Sequence, residues 1–119
     1  HAYIGNHVII GGQSGVHQFC RIDDYSMVGG ASLIVKDVAA YVMASGNPAK
    51  AHGLNKEGMR RKGWSQDTIK ALDEAYRLVF RSGLLRDEAL DELTKLVEKE
   101  PKIQLLIDSI NNSKRGLVR

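Results

Sequence analysis

The residues whose types suit chemistry in this chain are four histidines, one cysteine and a short run of cations. His17 and Gln18 form the first candidate pair, within the stretch GVHQFC. Histidine can transfer protons near neutral pH, and glutamine can fix a carbonyl or a hydroxyl group. The spacing allows two interpretations. Either His17 is a packed side chain at a turn, or the pair faces a groove between subunits.

A metal site is the second possibility that these residues raise. His1, His7 and His17 are the candidate ligands, but no carboxylate or cysteine completes a set at a familiar spacing. We therefore expect no metal, and we expect His7 on the solvated surface. Cys20 stands where the local repeat requires a small inward residue. We expect it to pack, because a nucleophilic cysteine needs an exposed site that lowers its pKa.

A six-residue repeat is the element that must position these residues. From 4 to 39, each hexad has an aliphatic residue, then a glycine or acidic residue at most corners, and a small or β-branched residue four positions after the aliphatic one. Helices repeat every 3.6 residues and half-buried strands every two, so this pattern favours a parallel β-helix of hexapeptide repeats. Three hexads would close one triangular coil, with the aliphatic and small residues inward. Glycine is expected to relieve backbone strain at the turns.

The composition changes after the repeat, and three helices are predicted beyond it. A last strand is expected at 40–43 and a turn at 45–48. The helices are expected to begin after an N-cap at Ser65, after the stretch Arg86-Asp87-Glu88, and at Pro101. The predicted domains are 1–51, the terminal coils of the β-helix, and 52–119, an α-helical domain. The tail 113–119 is basic, and we expect only its contacts to order it.

Composition excludes several classes of protein. The chain has 119 residues, a formal net charge of +3 and 6% aromatic residues. This charge and this aromatic content are too low to favour nucleic-acid binding. No apolar run reaches the length of a membrane span. We therefore expect no transmembrane segment. A single cysteine allows no internal disulfide, so we expect a cytoplasmic protein.

Several motifs together resemble one enzyme family. The runs IIGGQSGVHQFCRID, MVGGAS, YVMASGNPA, GLNKEGMRRKGWS and RGLVR resemble the C-terminal part of UDP-N-acetylglucosamine acyltransferases of Gram-negative bacteria, which begin lipid A biosynthesis. The resemblance implies a homotrimer of left-handed parallel β-helices, each followed by a C-terminal helical domain. It implies transfer of a (3-hydroxy)acyl chain from acyl carrier protein to the 3-hydroxyl of UDP-N-acetylglucosamine. No further cofactor is expected, since acyl carrier protein carries the donor.

The resemblance also implies roles for individual residues. His1, His17 and Gln18 are implied to lie at a cleft between subunits, in contact with substrate. Gly30 corresponds to the position that gauges acyl-chain length, and Pro48 stands where some members have a histidine. The residues implied to hold the nucleotide sugar are Asn55, Glu57, Arg61 and Lys62. Arg61 suits a diphosphate, whereas Lys62 stands where an arginine is often found and lacks its bidentate fork.

One feature of the family is absent from the sequence. The general-base histidine lies in a His-Asp context on an earlier coil, and the chain contains no such dipeptide. We expect these residues to be part of a longer enzyme and to have no meaningful turnover alone. The sequence leaves two alternatives open. One is a related hexapeptide acyltransferase such as UDP-3-acylglucosamine N-acyltransferase, and the other is a non-catalytic trimerisation module.

Overall fold

The repeat region folds as six very short strands that recur every six residues. The computed structural model describes all residues 1–119. The strands are β1 (Tyr3–Ile4), β2 (Ile9–Ile10), β3 (Gly15–Val16), β4 (Arg21–Ile22), β5 (Met27–Val28) and β6 (Leu33–Ile34). They pair in parallel as β1 with β4, β2 with β5 and β3 with β6, each strand with the one eighteen residues later. The chain therefore winds around three sides, with three hexads per turn as the repeat predicts.

The inward residues of successive turns stack on one another. Ile4 aligns with Ile22, and Ile10 aligns with Val28. The second-turn members Ile22 and Val28 are fully buried, whereas Ile4 and Ile10 are 45% and 39% exposed. Cys20 is also buried, at 1% exposure, as its small-residue position predicts. The predicted arrangement of aliphatic and small residues around an interior is confirmed.

The prediction that glycine relieves backbone strain at the turns of the coil is wrong. The residues with positive φ are not glycines and recur every six positions at His7, Gln13, Phe19, Tyr25 and Ala31. Gly11 serves close packing instead. A Cβ added to it would lie 2.7 Å from the Gly30 Cα of the next turn. Glycine is required here because two backbone segments approach each other, not because of its φ.

A hairpin follows the coil. Strand β7 (Val42–Gly46) pairs in parallel with β5 at a spacing of sixteen residues, and antiparallel with β8 (Ala49–Leu54). The predicted strand at 40–43 therefore lies slightly too early, and β8 was not predicted. The connection between the two strands, at residues 47 and 48, falls inside the predicted turn at 45–48. The predicted domain division at 51/52 falls inside β8.

Four α-helices complete the chain: α1 (Lys56–Arg61), α2 (Gln66–Phe80), α3 (Arg86–Leu96) and α4 (Gln104–Asn112), with a 3₁₀ turn at Pro101–Ile103. The Ser65 hydroxyl accepts a hydrogen bond from the Thr68 N–H at 3.1 Å, so the predicted N-cap is confirmed. Helix α1 was not predicted. Helix α3 begins at Arg86 itself rather than after Glu88. No helix is both long enough and apolar enough to cross a bilayer.

The helices and the coil share one hydrophobic core of 23 buried residues. The Ser109 hydroxyl of α4 accepts a hydrogen bond from the Ala40 N–H at 2.9 Å, which ties the helices to the end of the coil. The tail is held by Asp37, which is 2% exposed. The Asp37 carboxylate accepts from the Ser113 hydroxyl at 2.6 Å, and its carbonyl accepts from the Val118 N–H at 2.7 Å. Contacts therefore order the tail.

Candidate functional site

Four of the predicted ligand-binding residues line one cavity of about 500 Å³ between the coil and α1. These are Asn55, Glu57, Arg61 and Lys62. The opposite wall comes from the coil, and the residues that complete the lining are His7, Val8, Ile9, Tyr25, Met27, Gly58, Met59 and Trp64. The cavity therefore combines an apolar wall with charged side chains from one short helix, an arrangement typical of small-molecule sites.

Asn55 fixes the start of the helix that carries these charges. Its Oδ1 accepts a hydrogen bond from the Gly58 N–H at 3.2 Å, and its Nδ2 donates to the Tyr25 carbonyl at 3.4 Å. A Cβ at Gly58 would collide with the Asn55 amide, at 2.6 Å from Nδ2. The sequence Asn-x-x-Gly therefore seats α1 against the coil. The predicted contact of Asn55 with substrate stays a prediction.

Arg61 and Glu57 form an ion pair at the mouth of the cavity. The Arg61 Nη2 and the Glu57 Oε1 are 2.8 Å apart, one helical turn from each other, and both side chains are 74% exposed. Exposed pairs of this kind contribute at most about 1 kcal/mol. Both groups can therefore turn toward a ligand at low cost.

Aromatic rings stack along the coil side of the cavity, and Trp64 joins them from the segment between α1 and α2. The His7 ring stacks on Tyr25 with centroids 4.8 Å apart and an interplanar angle of 9°, and Tyr25 stacks on Tyr41 at 5.7 Å. Trp64 meets Tyr25 edge-on at 5.0 Å. The Lys62 Nζ lies 3.2 Å from the His7 Nδ1. His7 is exposed as expected, but it also belongs to the cavity, which the sequence reasoning missed.

A search of the sequence for aromatic residues and histidines eighteen positions apart could have identified this stack. His7 and Tyr25 are eighteen residues apart, the spacing at which strands pair across one turn. His1 likewise stacks on Phe19, with centroids 6.0 Å apart. His1 and His17 are sixteen residues apart, so the eighteen-residue register does not align these two candidate metal ligands.

The other predicted residues lie at different corners of the coil. His17 and Gln18 lie between β3 and β4, and Gly30 lies between β5 and β6, whereas the cavity residue His7 lies between β1 and β2. None of His1, His17, Gln18 or Gly30 lines the cavity. Within one copy of the chain, the predicted site residues therefore form two separate sets. The four that line the cavity are one set, and the four that do not are the other.

His17 has two polar neighbours that make opposite demands on its tautomer. Its Nδ1 lies 3.3 Å from the Gln18 carbonyl oxygen and 3.4 Å from the Arg115 Nη2. The carbonyl would require a proton on Nδ1, whereas the guanidinium would require a lone pair there. Both contacts are long for hydrogen bonds, so neither partner fixes the tautomer of His17.

Gly30 is exposed, and its surroundings are open. A Cβ built on it would touch only the Gly12 backbone, at 3.5 Å from the carbonyl oxygen. This is an ordinary van der Waals distance. A larger side chain would therefore fit at this corner and project away from the core.

Buried ionisable groups lie beneath the surface on the side of the coil that faces α4. Burial raises the pKa of the Asp23 carboxyl, against the lowering effects of a hydrogen bond from Ser109 and the charge of Arg21. The Arg21 Nη2 lies 3.2 Å from the Asp23 Oδ1. Burial also raises the pKa of the Cys20 thiol. Cys20 therefore has the inert setting of a packing residue. No three potential metal ligands cluster anywhere in the chain.

A larger groove of about 830 Å³ follows α1 and α2 and contains none of the predicted ligand-binding residues. Its basic side chains are Lys56, Arg60, Lys70, Arg77 and Arg81. Asp73 pairs with Lys56 at 3.4 Å and with Arg77 at 3.2 Å. The other three cations form no ion pair, so the groove is positively charged.

Comparisons with known proteins all point to one family. Residues 37–118 match the family model described as UDP-N-acetylglucosamine O-acyltransferase, domain 2. The whole chain is 46% identical to 47% of the acyl-[acyl-carrier-protein]–UDP-N-acetylglucosamine O-acyltransferase of Burkholderia lata. The protein of the same name from Psychrobacter arcticus is 66% identical over 90 residues, which cover 75% of this chain and 35% of that protein.

Solved structures give the same result. The UDP-N-acetylglucosamine O-acyltransferase (LpxA) of Moraxella catarrhalis RH4 matches 99% of this chain with 98% identity and a TM-score of 0.98, over 46% of its own length. LpxA from Acinetobacter baumannii matches all of the chain with 62% identity and a TM-score of 0.97, again over 46% of its length. The chain belongs to the UDP-N-acetylglucosamine O-acyltransferase family. It spans about half the length of the curated relatives that it matches in full.

Proposed function

We propose that the chain is the C-terminal part of an enzyme that transfers a (3-hydroxy)acyl chain from acyl carrier protein to the 3-hydroxyl of UDP-N-acetylglucosamine, the first step of lipid A biosynthesis. The observation that carries this proposal is the cavity between the coil and α1. The family resemblance implies that Asn55, Glu57, Arg61 and Lys62 hold the nucleotide sugar, and all four line this cavity.

The charges in this cavity suit a nucleotide sugar. Arg61 and Lys62 supply two cations for a diphosphate, and the guanidinium can bind phosphate oxygens in a bidentate manner. The Asn55 amide and the Glu57 carboxylate provide a donor and acceptors for the polar groups of a base or a sugar. The apolar aromatic wall can cover the flat faces of the ligand.

The reaction is a direct transfer without a covalent enzyme intermediate. A histidine outside this chain takes the proton of the sugar 3-hydroxyl as its oxygen attacks the thioester carbonyl. The C–O bond forms, and a backbone N–H stabilises the tetrahedral oxyanion. The C–S bond then breaks, and the thiolate of acyl carrier protein leaves and takes up a proton. His1, His17 and Gln18 contact the substrate in this scheme, and Gly30 leaves room for a long acyl chain.

Acyl carrier protein, an acidic partner, would be attracted to the positive groove along α1 and α2. Arg60, Lys70 and Arg81 are the cations of this groove that form no ion pair. Complementary charge mainly accelerates the association of two proteins, and high salt weakens this attraction.

The working enzyme in this proposal is a homotrimer of left-handed parallel β-helices in the cytoplasm of a Gram-negative bacterium. The separation of the two predicted sets supports a shared cleft, since one copy keeps His17 and Arg61 at different corners. In a trimer, one subunit would supply His17 and Gln18 and its neighbour would supply the cavity.

Mixed trimers test the shared cleft. Arg61→Ala and His17→Ala subunits would be co-expressed with different tags and purified as heterotrimers. A cleft is intact when one subunit supplies His17 and its neighbour supplies Arg61. Every trimer that contains both kinds of subunit has one such cleft out of three, whichever subunit is present twice. Activity near a third of wild type is expected. Activity no higher than that of either single variant would contradict a shared cleft.

Calorimetric binding of UDP-N-acetylglucosamine to the full-length protein tests the function itself. Arg61→Ala should weaken binding about tenfold, since it removes one charge-assisted contact to a phosphate. Lys95→Ala is a matched control, because Lys95 also pairs with a carboxylate on an exposed helix, at 3.1 Å from Glu92. Equal affinities for both variants and wild type would refute the assignment. Turnover with UDP-3-acylglucosamine as the acceptor, and none with UDP-N-acetylglucosamine, would favour the N-acyltransferase instead.

A further inference from the structure

Lys62 differs from the other charged residues of the cavity because it has no acidic partner. Arg61 is paired with Glu57 at 2.8 Å, whereas Lys62 makes no ion pair. Its ammonium instead contacts the His7 Nδ1 at 3.2 Å and lies 5.4 Å from the centroid of the Tyr25 ring. The charge of Lys62 is therefore uncompensated and available to an anion in the cavity.

His7 is held in place by its position on the coil. Its backbone has a φ of 58°, in the left-handed region, at a corner of the coil. Its ring is nearly parallel to Tyr25, which in turn stacks on the buried ring of Tyr41. The stack fixes the plane of the imidazole and aims the Nδ1 at Lys62.

The donor chemistry of this contact defines the tautomer of His7. An ammonium group can only donate hydrogen bonds, so the His7 Nδ1 must accept and carries no proton. The ring proton then lies on the Nε2. Unlike His17, His7 has no second polar neighbour on its Nδ1 that would demand the other tautomer.

We propose that His7 is a positioning residue that holds the Lys62 ammonium over the cavity to receive the phosphates of the nucleotide sugar. This inference rests on the proposed function. A lysine side chain has four rotatable methylene groups, and fixing it on binding costs entropy. His7 and the Tyr25 ring fix it before the ligand arrives. An anion can bind the remaining donors of the ammonium, which has three protons and uses one for His7.

A double-mutant cycle on the intact protein tests the coupling. His7→Phe keeps a ring on Tyr25 and removes the acceptor. Phe19, Tyr25 and Tyr41 all have positive φ in this chain, so an aromatic residue is tolerated in this conformation. Lys62→Met keeps most of the side-chain length and removes the charge. The probe is UDP, and its affinity is measured by calorimetry.

His7→Phe should weaken UDP binding about threefold to tenfold, the value of one hydrogen bond. Lys62→Met should weaken it by more, and adding His7→Phe to Lys62→Met should produce no further loss. An equal loss from His7→Phe in both backgrounds would overturn the proposal, because His7 would then act independently of Lys62. Lys95→Ala again serves as the control for a lost surface cation.

A second measurement does not depend on the ligand. In ¹⁵N NMR spectra of histidine-labelled full-length protein, the His7 Nδ1 should show the shift of an unprotonated ring nitrogen. Lys62→Met should move that signal. A protonated Nδ1 in the wild type would overturn the pair. If the wild type does not bind UDP at all, the proposed function fails, and the NMR result alone decides whether His7 holds Lys62.

Discussion

The anchor of the C-terminal tail predicts a large effect from a single carboxylate. Asp37 is 2% exposed, and its two oxygens serve different segments. Oδ1 accepts a hydrogen bond from the Arg21 N–H at 2.7 Å, and Oδ2 accepts from the Ser113 hydroxyl at 2.6 Å. The carboxylate therefore joins the coil to the tail, and we choose Asp37→Ala as the perturbation.

The expected loss is about 2–3 kcal/mol of unfolding free energy. Asp37→Ala removes both acceptors, and each donor left without a partner in a buried place costs about 1–3 kcal/mol. The upper end is not reached, because Arg21 and Ser113 are only partly buried and water can reach them. Asp37→Asn keeps one acceptor oxygen, and its amide can donate to the Ser113 hydroxyl, so about 1 kcal/mol is expected.

Denaturant unfolding of the full-length protein measures the loss, and limited trypsin digestion locates it. Lys114 and Arg115 are exposed residues of the tail. Asp37→Ala should release a peptide cut after them much faster than wild type does, as mass spectrometry would detect. Asp91→Ala is the control, since Asp91 is exposed on α3, and it should change stability by less than about 0.5 kcal/mol. Equal stability and equal digestion of Asp37→Ala and wild type would refute the anchoring role.

Three further predictions concern the interior of the coil. Burial raises the pKa of Asp23 above its ordinary value of 3.8, so the folded protein holds this proton more tightly than the unfolded chain does. The unfolding free energy of wild type, relative to that of Asp23→Asn, should therefore fall as pH rises from about 4. A difference that stays constant with pH would contradict this. Gly11→Ala should cost about 1–3 kcal/mol in thermal unfolding because its Cβ meets the Gly30 backbone, whereas Gly12→Ala, with open space around it, should cost little. Cys20, 1% exposed, should react with iodoacetamide far more slowly in native than in denatured protein, and equal rates by mass spectrometry would disprove its burial.

The coil and the longer helices could be predicted from the sequence because each depends on a regular pattern. Period six fixes which residues face inward, and strand pairs such as Ile4 with Ile22 follow from it. Ser65 caps α2 by a local interaction that sequence alone reveals. Strand β8 could not be predicted, because its pairing with β7 depends on tertiary contacts and its residues, AKAHGL, lack a strong alternating pattern.

Helix α1 and the aromatic stack of His7, Tyr25 and Tyr41 could not be predicted from the sequence for a different reason. The six residues of α1 include Gly58, which disfavours a helix, and the structure that overrides this preference is the Asn55 cap against Tyr25. The residues of the stack lie far apart in sequence. Only a register of eighteen brings His7 onto Tyr25, and only the shorter sixteen-residue register of β7 brings Tyr41 beneath them.

The two registers explain why the cavity forms where it does. A three-sided coil has three equivalent corners, and each turn places residues such as His7, Gln13 and Phe19 at them in succession. Only the side built by β2 and β5 continues into β7 and β8, and the antiparallel β8 leads directly into α1. Helix α1 therefore covers the corner next to that side and encloses a cavity there. Helix α1 gives no such cover to the corners of His17 and Gly30, and neither residue lines the cavity.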